Sequence, residues 1–293
     1  YSGNMASFTP NNPLLANAIF TATITTGAKN VAGIAIANNY VWTFKTINSS
    51  NAPDLGSASP FGAFGGNAGI TNQGINTVIN GSIATTAAST LVTGFHDATA
   101  IYTETPLNVG NVTGAIATAP PMPGTATSFA IAQQALLDAN AAYLSISPAS
   151  MPGGIDPGAG ELGGLTLAPG IYKSNSGTFN ISNGNLTLDA QGDPNAVWIF
   201  QTAAGLTVGI AGPTGAKSVV LINGALPKNV FWYVGSTAII NGAGGGTMVG
   251  TIIANSGVTF STAGNAVQTV LNGRALSLVS SVTMVNTTIN VPQ

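Results

Sequence analysis

Charged side chains are nearly missing from this chain: its 293 residues hold six Lys plus Arg, eight Asp plus Glu and one His. They amount to 5% of the sequence, against roughly 25% in ordinary globular domains. At a formal net charge of −2 there is no basic surface to neutralise phosphates, so neither nucleic acid nor an anionic membrane is an expected partner. Long apolar runs are missing too. Although 45% of the residues are hydrophobic, Gly, Asn or Thr interrupts each run before the roughly 18 residues that a membrane span needs, and no membrane insertion is expected. Cysteine is absent, which rules out disulfides and thiolate metal sites and leaves stability to a buried core that a chain of this length can build. The chain opens on Tyr1 without Met and without a basic segment followed by an apolar one, which reads as a processed or trimmed product, with a location outside the cell as the expectation.

Glycine and threonine fill the space left by charge, at 38 Gly and 35 Thr. In "GVTFSTAGNAVQTVLNGRAL", residues 257–276, a strand's alternation begins, yet Thr and Ser stand where Lys, Glu or Arg would ordinarily meet water. The first 48 residues alternate like strands around turn-prone stretches, with Phe20, Ala22 and Ile24 separated by Thr and a second run from Val41 to Thr46. They predict a few antiparallel strands. Residues 49–56 are small, polar and Pro-containing, the composition of a linker.

From residue 57 onward the chain breaks into many segments of about five to seven residues bounded by turn signals, among them Asn-Gly pairs starting at 80, 183, 223, 241 and 272. The spacing is irregular. A hairpin barrel prefers a regular beat of roughly 8–12 residues per strand and turn, whereas a solenoid of parallel strands tolerates corners of uneven length. Val197, Ile199, Val219, Leu221, Phe231, Tyr233, Val258 and Phe260 are the expected inward stack of such a solenoid. One segment departs from the strand pattern. Residues 125–146, "TATSFAIAQQALLDANAAYLSI", are Ala-rich, free of Gly and Pro, and preceded by "PPMPG". Phe129, Leu136 and Tyr143 recur at seven-residue spacing beside Ala132, Leu137 and Leu144, predicting a long helix with one apolar face about 140° wide.

Two stretches resemble known families. "FTPNNPLLANAIFTATITTGAKNVAGIAIANNYVWTFKT" is similar to the C-terminal half of a bacterial Ig-like domain; half a sandwich rarely folds alone, which implies that the natural protein begins upstream of Tyr1. "LGGLTLAPGIYKS" (162–174), "LTLDAQGDPNAVWIFQ" (186–201), "VVLINGALPKNVFWYVGSTA" (219–238) and "VLNGRALSLVSSVTM" (270–284) closely resemble the bacterial and fungal ice-binding family, as does the early "PFGAFGGNAGITNQGINTVINGSIAT". That resemblance implies an all-β fold with one long helix: a discontinuous right-handed parallel β-helix of triangular section, the helix lying along one face and a flat face adsorbing to ice crystals. The expected organisation is a partial Ig-like segment over 1–48, a linker over 49–56 and the β-helix over 57–293. The lack of Cys sets this chain apart from many members.

Ice is a neutral lattice of water, so its ligand must hold water in near-crystalline order over a broad area. A Lys or Glu organises its own hydration shell radially, whereas Thr offers a methyl that leaves water structured and a hydroxyl that donates and accepts. Its β-branched side chain is also stiff. Aligning one strand per coil locates the expected face: "TFNIS" (178–182), "LTVGI" (206–210), "TAIIN" (237–241), "VTFST" (258–262) and "VTMVN" (282–286). With Phe179, Ile181, Leu206, Val208, Ala238, Ile240, Val258, Phe260, Val282 and Met284 inward, Asn180, Thr207, Ile239, Thr259 and Thr283 form one outward column. Thr178, Thr237 and Ser281 flank it on one side, Ser182, Asn241 and Ser261 on the other, and Thr71 beside inward Ile70 is an expected further member.

Other constellations carry less. His96 and Asp97 are adjacent in "TGFHDAT", but neighbours in a strand point to opposite faces. Asp189 and Asp193 in "DAQGDPNA" sit in a turn composition, with too few carboxylates for a calcium site. "GAGGGTMVG" (242–250) lacks the Lys-Ser or Lys-Thr and the helix of a phosphate loop. Arg274, the sole Arg, and Lys173 are expected to tie down coil corners, and Trp198, Phe231 and Trp232 to fill the core or the helix seat. The acids are too scattered for a polysaccharide-cleaving β-helix, so no enzyme is expected. The expected function is adsorption to ice by a monomer without cofactor or metal, with a cell-surface adhesion module binding polysaccharide or a partner cell as the alternative.

Overall fold

The computed structural model describes residue 14 and residues 19–45, 52–261 and 267–293. The chain forms two compact units, Tyr1–Ser50 and Asn51–Gln293. In the first, Ile19–Ile24 and Tyr40–Lys45 pair antiparallel from Ile19↔Lys45 to Ile24↔Tyr40. Alternation places Phe20 and Ala22 on one side, half-buried, and Thr21 and Thr23 on the other. Phe20 stacks on its cross-strand partner Phe44 at 5.8 Å between centroids. Residues 1–13 and 46–51, which include part of the expected linker, lie outside the described residues. Within the rest of that stretch Leu55 is buried, and immediately after it the amide N–H and hydroxyl of Ser57 both donate to Asp138 Oδ2, at 2.8 and 2.6 Å.

The second unit is a coiled stack of parallel strands. Each full coil lays one strand on each of three faces, as in Thr166–Leu167, Gly170–Lys173 and Phe179–Ile181, which begin three different sheets. The strands Thr247–Ala254 and Thr269–Ser277 run over a corner without a break: Thr269–Asn272 pair with Thr287–Asn290 on one face, and Ala275–Ser277 with Ala63–Gly65 on the next. Paired Gly250 and Gly273 make this corner possible, because a Cβ on Gly273 would lie 1.9 Å from Gly250 O. The Asn-Gly pair at 272 is therefore a bend inside a strand and not the turn its composition suggests.

Sequence order and spatial order differ. The last coil of the chain pairs with the first of this unit, through Ala275↔Ala63, Val282↔Ile70 and Thr288↔Val78. The helix Ala126–Ser145 carries the chain from the early coils to the far end of the stack, from which the remaining coils return. Its 20 residues span about 30 Å, close to the roughly 29 Å covered by seven strands at about 4.8 Å each. Thr125 caps it: its hydroxyl accepts from Ser128 N at 3.0 Å, and Ser128 Oγ accepts from Thr125 N at 2.9 Å. This is the reciprocal capping pair with Ser in the place usually held by Glu or Gln.

The helix matches the expected span, but its seat is narrower than expected. The buried line is Ala132, Ala135, Ala139, Ala142, Tyr143 and Ile146; Phe129 and Leu136 are half-buried, and Leu137 and Leu144 are exposed. Small side chains win the seat because the sheet below already projects Phe64, Ile199, Phe231, Ile253 and Leu276 into the gap. Tyr143 finishes it by stacking on Tyr233 at 4.1 Å. Ala139→Leu should therefore destabilise the fold by about 1–3 kcal/mol through overpacking, whereas Leu137→Ala should stay within about 1 kcal/mol, as read by thermal unfolding of the two variants.

The inward stack also needs correction in two strands. Trp198, Phe200 and Trp232 fill the solenoid, with Phe200 stacked on Trp232 at 4.1 Å. Ile199 and Phe231, with half-buried Val197 and Tyr233, point to the helix instead. A sheet covered on both sides has no polar side to betray its phase. The indoles decide it, because each N–H needs an interior acceptor: Trp198 Nε1 donates to Leu167 O at 3.2 Å and Trp232 Nε1 to Val249 O at 2.9 Å. Val219, Leu221, Val258 and Phe260 face inward as expected.

Candidate functional site

One face of the stack is a seven-stranded parallel sheet, in spatial order Phe179–Ile181, Leu206–Val208, Thr237–Asn241, Gly257–Ser261, Val282–Met284, Ile70–Asn72 and Val92–Thr93. Its inner side is seamless: Phe179, Ile181, Leu206, Val208, Ala238, Ile240, Val258, Phe260, Val282, Met284, Ile70 and Val92 are each 2% exposed or less. Since side chains alternate, the residue between each inner pair must face out. The register then aligns Asn180↔Thr207↔Ile239↔Thr259↔Thr283↔Thr71↔Thr93 without a slip. Asn180, Thr207, Ile239, Thr259, Thr283 and Thr71 thus stand in a single outward column. Thr93 extends it and escaped the sequence reading because a strand of two residues is too short to show an alternation.

On one flank, Thr178, Thr237 and Ser281 stand two residues before Asn180, Ile239 and Thr283, with Thr237 level with Gly257. The other flank is less open than expected. Asn241 is 8% exposed and its amide donates to Gly209 O at 3.2 Å, so it closes an edge of the sheet and presents little to solvent. Ser182 Oγ donates to Glu161 Oε2. Ser261 remains half-buried on the edge. Buried Asn72 satisfies its amide internally, donating to Gly74 O and Gly94 O and accepting from Gly74 N and Thr77 Oγ1.

None of the seven strands contains Asp, Glu, Lys, Arg or His. The adjacent carboxylate is Glu161, bridged to Asn180 at the end of the column. Burial would raise its pKa, but hydrogen bonds from the Ser182 hydroxyl and the Ser182, Gly163 and Asn183 N–H groups outweigh that and hold it below the ordinary carboxylate value. A depressed folded-state pKa contributes stability above the unfolded value, here 4.5, that disappears as pH falls through the folded value. Glu161→Gln should therefore melt below the parent near neutral pH, and the gap should narrow as pH drops from 4.5 towards the depressed value in a series of thermal melts.

The other two faces differ. The helix covers one. The third carries Thr166↔Thr187↔Val220 and Val270↔Thr288↔Val78↔Asn111↔His96 outward, mixing Val with Thr and ending on an ionisable group. Asn80, Asn290 and Asn272 form an amide ladder there, at 2.7 and 2.9 Å.

The remaining candidates are tied up in the fold. His96 Nδ1 lies 2.7 Å from Glu104 Oε1 and does not meet Asp97. Asp97 accepts from Thr99, Ala100 and Ile116. Asp189 accepts from Gln191 N and Asn223 Nδ2, and Asp193 from Asn195 N, as turn residues do. Among the described residues no three His, Cys, Asp or Glu come together as a metal site. Arg274 donates to Ser59 O, Pro292 O and Thr251 Oγ1, and the Gly-rich 242–250 is a turn leading into the strand Thr247–Ala254.

Comparison with known proteins agrees with this architecture. The Ice-binding-like family profile matches residues 64–290, and a bacterial Ig-like domain profile matches residues 1–46. An ice-binding protein of Nostoc sp. is 36% identical over 231 residues, covering 78% of this chain and 71% of the relative. The crystal structure of an ice-binding protein from the Antarctic ascomycete Antarctomyces psychrotrophicus superposes with a TM-score of 0.64 at 31% identity, over 83% of this chain and 99% of that one. An Arctic yeast ice-binding protein, described for its antifreeze activity, gives 0.65 at 29% identity over 84% and 96%. Matched over most of its length in sequence and in the stacking of its three-faced coils, the chain belongs to the Ice-binding-like family.

Proposed function

We propose that this protein adsorbs to ice through the seven-stranded face and stops the crystal front from advancing between adsorbed molecules, where the front must curve. The observation that carries the reading is the unslipped register, which aligns Asn180, Thr207, Ile239, Thr259, Thr283, Thr71 and Thr93 on a sheet free of ionisable groups. Such a column repeats at the strand separation of about 4.8 Å, and the packed inner side chains keep it from buckling. The ordering entropy of the hydroxyls is lost on folding and not again on contact with ice. Thr178, Thr237 and Ser281 widen the patch on one side and Ser261 on the other, while Asn241 acts from within by holding the edge straight.

On this reading the protein works without cofactor, as a monomer outside the cell or at its surface. The bacterial Ig-like match over residues 1–46 favours attachment to a surface, so that the ice face could hold a cell to ice. The test is to grow a single ice crystal in dilute protein: the reading expects a faceted crystal and a gap between melting and freezing. A crystal that grows as a round disc at every concentration rejects it.

A further inference from the structure

Two positions before each column member, the flank reads Thr178, Gly205, Thr237, Gly257, Ser281 and Gly69 over six adjacent strands, hydroxyl and glycine in alternation. The backbone explains two of these glycines. Gly69 has φ +95° and a Cβ there would lie 2.1 Å from Leu91 O, and Gly257 has φ +137°. Gly205 is different. Its φ lies outside the left-handed region, and a Cβ would meet only Thr237 O, at the ordinary contact distance of 3.4 Å. Gly205 stands at the corner just before the strand Leu206–Val208, and a glycine loses more backbone freedom on folding than alanine would, so one that neither a left-handed φ nor a close contact requires calls for another explanation.

Its missing side chain leaves a recess between the exposed Thr178 and the half-buried Thr237. These two residues stand two strand separations apart, roughly 9.5 Å, too far for a direct hydrogen bond and open to water. Thr237 O borders the recess, 3.4 Å from where the absent Cβ would lie. Resting on the ice-contact reading above, we propose that Gly205 is a specificity-determining position of the face: its recess lodges ordered water between the Thr178 and Thr237 hydroxyls, and that water joins the ice lattice. The flank then presents ice with hydroxyls alternating with water-filled notches, not with an unbroken hydroxyl row.

Gly205→Ala and Gly205→Thr, measured beside Thr259→Arg, test this. Ice adsorption is read by partition of labelled protein into a slowly growing ice hemisphere. Gly205→Ala should weaken adsorption about twofold and Gly205→Thr about fivefold, since displacing an ordered water without replacing its hydrogen bonds loses affinity; neither should lower the melting temperature of the protein. Gly205→Thr adsorbing as well as the parent or better would overturn the proposal, because an unbroken row would then be the better template. If Thr259→Arg abolishes adsorption while both Gly205 variants keep it, the recess fails and the face stands. Should Thr259→Arg adsorb normally, the face itself is wrong and the recess falls with it.

Discussion

Thr259→Arg is expected to cut partition into ice by about tenfold or more, equivalent to at least ~1.4 kcal/mol of adsorption free energy, while leaving the protein folded. Thr259 sits at the centre of the column, between Ile239 and Thr283. A guanidinium there stands above the plane of its neighbours and brings a hydration shell that does not fit a lattice. Contact between two flat, stiff surfaces fails as a whole when one point is raised. Val258 and Phe260, which anchor the strand, are untouched and fully buried, so the melting temperature should shift by no more than a surface substitution allows, within about 0.5 kcal/mol. Thr259→Ser, which keeps the hydroxyl and loses the methyl, should fall between the two. Undiminished partition of Thr259→Arg into ice would remove this face from consideration.

The largest effect on stability is expected at Arg274. It is 6% exposed, and among the described residues no carboxylate pairs with it. Nε donates to Ser59 O at 2.7 Å, one terminal nitrogen to Pro292 O at 3.2 Å and the other to Thr251 Oγ1 at 3.4 Å. It thus joins the start of the second unit, its last residues and the strand Thr247–Ala254, at the seam where the final coil meets the first. No peptide bond crosses that seam between Val282–Met284 and Ile70–Asn72, and the outward column runs straight over it through Thr283↔Thr71. Desolvation pushes the guanidinium pKa down to about 10, so the buried charge carries a cost that the three hydrogen bonds must exceed. Arg274→Ala removes that cost but strands three acceptors beside a cavity, for a net loss of about 3 kcal/mol and a fall in melting temperature of about 6–12 °C. Arg274→Lys should recover little, since an ammonium cannot reach in three directions as the planar guanidinium does. A melting temperature unchanged in Arg274→Ala would show that the seam holds without it.

Where strands have one wet side, their phase was legible. "TFNIS" and "VTFST" alternate apolar with polar, and the inward residues read from them, Phe179, Ile181, Val258 and Phe260, are buried in the structure. Where the helix covers a face, "VWIFQ" and "VFWYV" are apolar on both sides, and two-residue periodicity could not say which half fills the solenoid. The helix itself was legible in extent, from its Thr125 start to its loss of pattern at Ser147, but not in orientation, because Leu137 and Leu144 looked like core while the middle of the seat, at Ala132, Ala135 and Ala139, had room for alanine.

Composition determined a charge-poor surface, short alternating segments between turn signals determined a β-rich fold, and the strand alignment nominated the outward column before any pairing was known. Three things waited for the tertiary structure: that Thr71, already named from the sequence, meets Thr283 across the seam and is followed there by Thr93; that Asn241 turns into an edge; and that one glycine, Gly205, stands where neither a left-handed φ nor a close contact asks for it. The reason is physical. Alternation along a strand is a local property set by the pleat, whereas which strands become neighbours, and what their edges must bury, depends on long-range packing that no single segment encodes.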